Sequence, residues 1–151
     1  METGIGRFCV HNVVTVTRET AIVEAAKLMR KHHIGALVVV EQSREGSVPV
    51  GVVTDRDIVI EIVGAGLSPE TVKVGEILQR PVVTVQQDAG YAEAVRSMSV
   101  NGVRRMPVVD ASGALVGIIT IDDILHQLAG PLLALGELAG RERHYETESR
   151  S

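Results

Sequence analysis

Two stretches of this chain set an alcohol and an acid at the same spacing. Residues 51–58 read G-V-V-T-D-R-D-I, and residues 117–124 read G-I-I-T-I-D-D-I. Each begins as a short apolar run of β-branched residues, the pattern of a buried strand, and passes into apolar residues at helical length. Thr54 and Thr120 stand where strand gives way to helix. A helix start offers unpaired N–H donors and a partial positive charge, which suits a phosphate or another anion. Asp57 and Asp123 lie one turn further on, where a carboxylate can accept from two neighbouring hydroxyls of a sugar. The same residue types also serve a helix start for its own sake, threonine as N-cap and aspartate in the first turn.

The elements that must position these residues repeat as well. Val13-Val14-Thr15-Val16 recurs 69 positions later as Val82-Val83-Thr84-Val85, and Glu24, Ala25, Met29, Val39 and Val40 recur at the same offset. From Gly51/Gly117 onward the offset is 66, so the first copy carries three extra residues, in the polar stretch around 42–48. That stretch reads as a solvated turn. Each copy predicts strand, helix, strand, strand, helix. In the first, these are a strand at 13–16, a helix with Ile22, Ala25, Ala26 and Met29 on one face and Thr20 as N-cap, strands at 36–41 and 50–54, and a closing helix at 56–63. In the second, Tyr91, Ala94, Val95 and Met98 mark the helical face after the cap-like Asp88. A hairpin at 106–110 and 115–120 follows, then a closing helix at about 122–128. The expected organisation is one repeat at 5–64, a linker at 65–81 with a packed turn at Val74, Ile77 and Leu78, and a second repeat at 82–130. A short apolar helix at 132–139 should follow the break at Gly130-Pro131, and the polar residues from Arg141 onward should be frayed.

At 151 residues, 45% apolar and 23% charged, the chain is long enough for one globular domain or two halves sharing a core. Aromatics at 2% and a net charge of −4 argue against stacking on bases or tracking a phosphate backbone. The single cysteine, Cys9, permits no internal disulfide and reads as an apolar filler without a basic partner. His11, His32, His33, His126 and His144 lack zinc-ligand spacing, and Met29 and Met98 read as core. No nucleophile–base–orienter set, Walker loop or Rossmann glycine triplet is present, so an enzyme is not expected. The apolar runs are shorter than the ~18 residues that span a bilayer, and the start lacks a signal-peptide pattern, so the cytoplasm is the expected location. The first closing helix is apolar nearly all round, which predicts a homodimer through residues 58–63 and 124–128.

These repeats resemble the cystathionine-β-synthase (CBS) domain family, in which two copies pair as a Bateman module. The resemblance rests on V-V-T-V, on the hairpins V-V-V-E at 38–41 and P-V-V-D at 107–110, and on the two T-x-x-D runs. Within the family, T-D-R-D-I-V-I followed by G-A-G-L-S-P is similar to small stand-alone bacterial pairs of the hypoxic-response type. The resemblance implies an α/β fold of two pseudo-symmetric β-α-β-β-α repeats, a regulatory job, dimers shaped as a flat disc, and a cleft for AMP, ADP, ATP or a related compound such as S-adenosylmethionine or NAD. It makes Asp57 and Asp123 the ribose ligands and Thr54 and Thr120 the phosphate ligands. Sites built crosswise would combine Thr54, Arg56 and Asp57 with Val82, Val83, Arg104, Arg105, Met106 and Pro107. The other would combine Thr120 and Asp123 with Val13, Val14, Gly35, Ala36 and Leu37. Guanidiniums favour phosphate in the first site, whereas Asp122 stands in the second where Arg56 stands in the first, so the two should be unequal. The alternative is a ligand-free dimer that docks a protein partner.

Overall fold

The computed structural model describes residues 3–150, arranged as two three-stranded sheets with helices on their outer faces. The first half runs β1 (Thr15–Val16), α1 (Ile22–His32), β2 (Ala36–Ser43), β3 (Gly46–Thr54) and α2 (Asp55–Ile58), the last continuing as a π turn, Val59–Val63. A short α3 (Val74–Ile77) leads to β4 (Val85–Gln86), α4 (Tyr91–Asn101), β5 (Arg105–Val109), β6 (Leu115–Thr120) and α5 (Ile121–Arg150). In both sheets the opening strand pairs parallel to the middle strand, and the hairpin pairs antiparallel. The two tandem β-α-β-β-α units expected from the repeat are present.

The middle strands are apolar on both faces, as a strand covered on both sides must be. Leu37 and Val39 enter the first core with Ile22, Ala25 and Met29, and Met106 and Val108 enter the second with Ala94 and Met98. Side chains alternate along a strand, so Val38, Val40, Pro107 and Val109 point the other way, and all four are also buried. The opposite half covers them. β3 lies in contact with β6, and a Cβ on Gly46 would stand 3.7 Å from Ala114. Pro107 is tolerated in a middle strand because β4 reaches only Val108 and Val109, leaving no ladder bond for Pro107 to miss on that side.

The segments that precede each repeat exchange places. Ile5 and Cys9 lie at the head of the first repeat yet belong to the second core, while Val74 and Ile77 lie at the head of the second and belong to the first. The backbone bonds match pairwise. Ile5 and Gly6 N–H donate to Ala89 and Gln87 carbonyls, and Val74 and Gly75 N–H donate to Thr20 and Arg18 carbonyls. Residues 5–10 thus pack into the second half and residues 72–78 into the first. This packing also explains the motif glycines. A Cβ on Gly117 would stand 2.6 Å from the Cys9 sulfur and 2.7 Å from the Val10 carbonyl, and one on Gly51 would stand 2.9 Å from Leu78.

Some boundaries moved for local reasons. The stretch around 42–48 is an exposed turn only at Arg44 and Glu45, because Gln42 and Ser43 pair with Ser47 and Gly46 and extend the hairpin. Thr20 does not cap α1; Ala21 takes that place, and the Thr20 hydroxyl accepts from Thr17 N–H in the preceding turn. Gly90, not Asp88, occupies the cap position of α4. The opening strands are shorter than expected, since only Thr15–Val16 and Val85–Gln86 reach their neighbours. The largest difference is α5, expected to stop near Leu128 and fray after Arg141, but continuous through Pro131 to Arg150. Its leucines, alanines, glutamates and arginines are good helix formers and set against the proline, whose interior cost is about 3 kcal/mol.

Candidate functional site

Each acid–alcohol pair is locked into a reciprocal cap. Thr54 N–H donates to Asp57 Oδ2 at 2.9 Å, and Asp57 N–H donates to Thr54 Oγ1 at 3.1 Å. Thr120 and Asp123 repeat this at 2.9 and 3.2 Å, and the Thr120 hydroxyl also donates to Asp123 Oδ2 at 2.9 Å. The helix-start role of these residues is therefore realised in both halves. Unpaired amides at α2 are not found. Asp55 N–H donates to the Gly35 carbonyl at 2.9 Å, Arg56 N–H to Asp55 Oδ1 at 2.8 Å, and Asp57 N–H to Thr54. Three donors meant for an anion are thus taken by the chain, because an aspartate beside the cap satisfies what threonine alone leaves open. What stays open is Oδ1 of Asp57 and of Asp123, which makes no hydrogen bond among the described residues. A carboxylate held by one oxygen and free at the other can still accept from a sugar hydroxyl.

Strand register sets what borders each pair. Ala36 lies across from Thr54 and Arg105 across from Thr120, and the Arg104 carbonyl accepts from Ile121 N–H at 2.9 Å. Each T-x-x-D run thus borders the hairpin approach of its own half. Among the described residues no hydrogen bond or ion pair joins Thr54, Arg56 or Asp57 to Arg104 or Arg105. Val13, Val14, Val82 and Val83 are half-buried beside the opening strands, Gly35 and Ala36 are half-buried, and Arg56 and Arg104 are exposed. Leu37 and Met106 are fully buried core side chains, and Pro107 is buried too, so these three can offer a ligand only backbone.

Two open hollows are present, one of them beside Arg56 of the expected site. One of about 460 Å³ is lined by Asp55, Arg56, Val59 and Ile60. A larger groove of about 650 Å³ runs between α4 and α5, past Tyr91, Val95, Arg96, Val100 and Leu128. Cys9 is buried as expected, but it does have a basic neighbour, with His11 Nε2 3.9 Å from its sulfur. Burial pushes the Cys9 thiol up, and the charge of Asp123 adds to that. The thiol is held protonated, unlike a nucleophile. Among the described residues no three His, Cys, Asp or Glu side chains converge on a metal position, and no helix is long and apolar enough to cross a membrane. The exchange of leading segments was missed by sequence reasoning, although Ile5-Gly6 and Val74-Gly75 repeat at the common offset of 69 and carried the signal.

The CBS domain family model matches residues 5–64 and 74–130. The uncharacterized protein MK0525 of Methanopyrus kandleri is 40% identical over 121 residues, 80% of this chain and 60% of that protein, so this chain spans less than two thirds of that relative. Hypoxic response protein 1 of Mycobacterium tuberculosis is 37% identical over 116 residues, covering 77% of this chain and 78% of that one. A crystal structure of Hypoxic Response Protein I with two coordinated zinc ions superposes with a TM-score of 0.71 at 34% identity, over 82% of this chain and 98% of the other. The CBS domain pair of protein MJ0100, in complex with 5-methylthioadenosine and S-adenosyl-L-methionine, superposes with a TM-score of 0.73 at 28% identity, over 87% and 99%.

Proposed function

The chain belongs to the CBS domain family, and from that premise we propose that it is a non-catalytic regulatory module that holds an adenosyl ligand between its repeats. The observation that carries this reading is the pair of carboxylates Asp57 and Asp123, each fixed by its cap with one oxygen open. A carboxylate already held in place loses little freedom when it binds a ribose. The adenosyl ligands of the similar MJ0100 pair support the same ligand class here. Thr54, Arg56 and Asp57 with Val82, Val83, Arg104, Arg105 and the backbone of Met106 and Pro107 form the phosphate-bearing site, for AMP, ADP or ATP. Thr120 and Asp123 with Val13, Val14 and Ala36 form the second, where Asp122 adds negative charge and favours an uncharged adenosine-like group. Ligand binding shifts the balance between two arrangements of the halves or of two chains through unequal affinity for them.

The test is a thermal-shift panel of AMP, ADP, ATP, NAD and S-adenosylmethionine. Ligand at about 100 times its Kd adds about 2.7 kcal/mol, several degrees of melting temperature at this size. Asp57→Ala should remove the shift from AMP, ADP and ATP. No shift with any of the five would sink the proposal.

A second reading is favoured by the outer faces of the closing helices. Val59, Ile60 and Val63 are 58%, 49% and 71% exposed, while Ile62 beside them is buried. Three large apolar side chains on one turn are covered by a second chain, giving a homodimer whose disc can dock a protein partner with or without nucleotide. Sedimentation of the Val59→Asp/Val63→Asp variant should read a lighter particle than the parent.

A further inference from the structure

The two closing helices match in sequence, but the chain leaves them in different ways. After the first, Gly66 takes a left-handed conformation and the chain turns back over the start of α1. Leu67 N–H donates to the Ile62 carbonyl, Val23 N–H to the Pro69 carbonyl and Ile22 N–H to the Val72 carbonyl, each at 2.9 Å. Glu70 of this strap lies close enough to Lys27 of α1 for their charges to attract. Ile62, at the root of the strap, is 1% exposed. In the second half the same surface is bare. Leu128 holds the place of Ile62 in the repeat and is 43% exposed. Tyr91, Ala92, Val95 and Arg96 hold the places of Ile22, Val23, Ala26 and Lys27, and with Leu128 they line the groove of about 650 Å³. Ala92 N–H, the counterpart of the Val23 donor, makes no hydrogen bond among the described residues. Past Gly130-Pro131, Leu132, Leu133, Leu135 and Leu138 of α5 are all exposed.

We propose that this groove is the seat of residues 132–138 of the same chain, which fold back from α5 at Gly130-Pro131 as residues 67–72 fold back from the first closing helix. The first half supplies the template, and the second matches it in reach, charge and polarity. Counted from Asp57 and Asp123, Leu135 falls where Pro69 falls, so its carbonyl reaches the Ala92 N–H. Glu137 falls one residue past the place of Glu70, and Arg96 holds the place of Lys27, so the attraction keeps its sign. The groove is more apolar than its counterpart, with Val95 and Val100 where the first half has Ala26 and Lys31. Its strap is more apolar in step, with Ala134 where the first has Ser68. The joint is built for the bend. Gly130 can take the left-handed turn that Gly66 takes, and Pro131, having no N–H, gives up no helical bond when the helix opens there. In the straight form the leucines and the groove both face water, and in the closed form each covers the other. A protein that docks on either surface must displace the strap. The closure involves neither Asp57 nor Asp123 and does not rest on a nucleotide being bound.

Disulfide trapping in a Cys9→Ala background tests it. Residues joined by a backbone hydrogen bond have Cα atoms about 5–6 Å apart, the separation that a disulfide spans. Ala92→Cys and Leu135→Cys both change exposed positions, so the fold is left intact. Oxidised with diamide, the chain carrying both should form a cross-link within the monomer. Gly130→Ala/Pro131→Ala, which straightens α5, should cut the yield several-fold. Arg96→Glu should lower it as well, and Arg96→Glu/Glu137→Arg should restore it. No cross-link, or one found only between two chains, would overturn the proposal. So would a yield that either the straightening or the charge reversal leaves unchanged.

Discussion

Thr54 and Asp57 hold the start of α2 through Oγ1 of one and Oδ2 of the other, which leaves Asp57 Oδ1 open. Thr54→Ala removes the acceptor for Asp57 N–H and should cost about 1 kcal/mol in urea unfolding, with Thr120→Ala costing a similar amount. The motif glycines differ from each other. At Gly51 a methyl would meet the flexible end of Leu78, whereas at Gly117 it would meet the Val10 backbone as well as a buried sulfur. Gly117→Ala should therefore destabilise more than Gly51→Ala, by about 1–3 kcal/mol as overpacking generally does. Equal losses would mean that Val10 yields as easily as a leucine tip. Cys9 gives a pH signature. Its folded pKa is raised by burial, so the folded chain keeps a proton that the unfolded chain releases. Stability is intact below the thiol's unfolded pKa and falls as pH rises toward the folded one. Urea midpoints on the alkaline side should fall further for the parent than for Cys9→Ala, and parallel curves would refute this.

At the scale of elements, periodicity found the helices and hairpins and failed where a neighbour decided the outcome. Ile22, Ala25 and Met29 declare α1 by spacing alone, β2 declares itself by three consecutive valines, and β3 by valines interrupted only by Pro49 and Gly51. The polar run at 42–48 makes its turn only at Arg44 and Glu45, because pairing with the facing strand turns the residues on either side into a hairpin extension. The acid–alcohol pairs were legible down to the residue, since their spacing is that of a capping box. Their surroundings were not, because which arginine borders which threonine depends on strand register. Helix α5 shows the opposite failure, in which Gly130-Pro131 signals a stop that the structure does not make. Pro131→Ala should strengthen this helix by up to about 3 kcal/mol and raise the melting temperature of its far-ultraviolet circular dichroism. An unchanged melt would mean that the proline marks a joint rather than a burden.

For the whole molecule, the reciprocal seating of Ile5 and Val74 makes each half incomplete without the other's leading segment. Ile5→Ala, at a fully buried position, should cost about 2–5 kcal/mol. Hydrogen exchange should show the loss first at Met106 and Val108, a hundred residues away in sequence, rather than at the neighbouring β1. Protection lost at β1 first would refute the exchange. Unfolding should proceed in one transition, because neither core closes independently.

The same seating bears on how the chain is made. A nascent first half leaves the ribosome with its own leading residues idle and its core still waiting for the stretch around Val74, and those first residues find their seat only after β5 and β6 have emerged. The first lobe can therefore latch once the stretch around Val74 has emerged, whereas the second waits for β5 and β6. A stall anywhere in the second half would leave the earlier residues exposed and prone to seek the matching cradle on another unfinished chain.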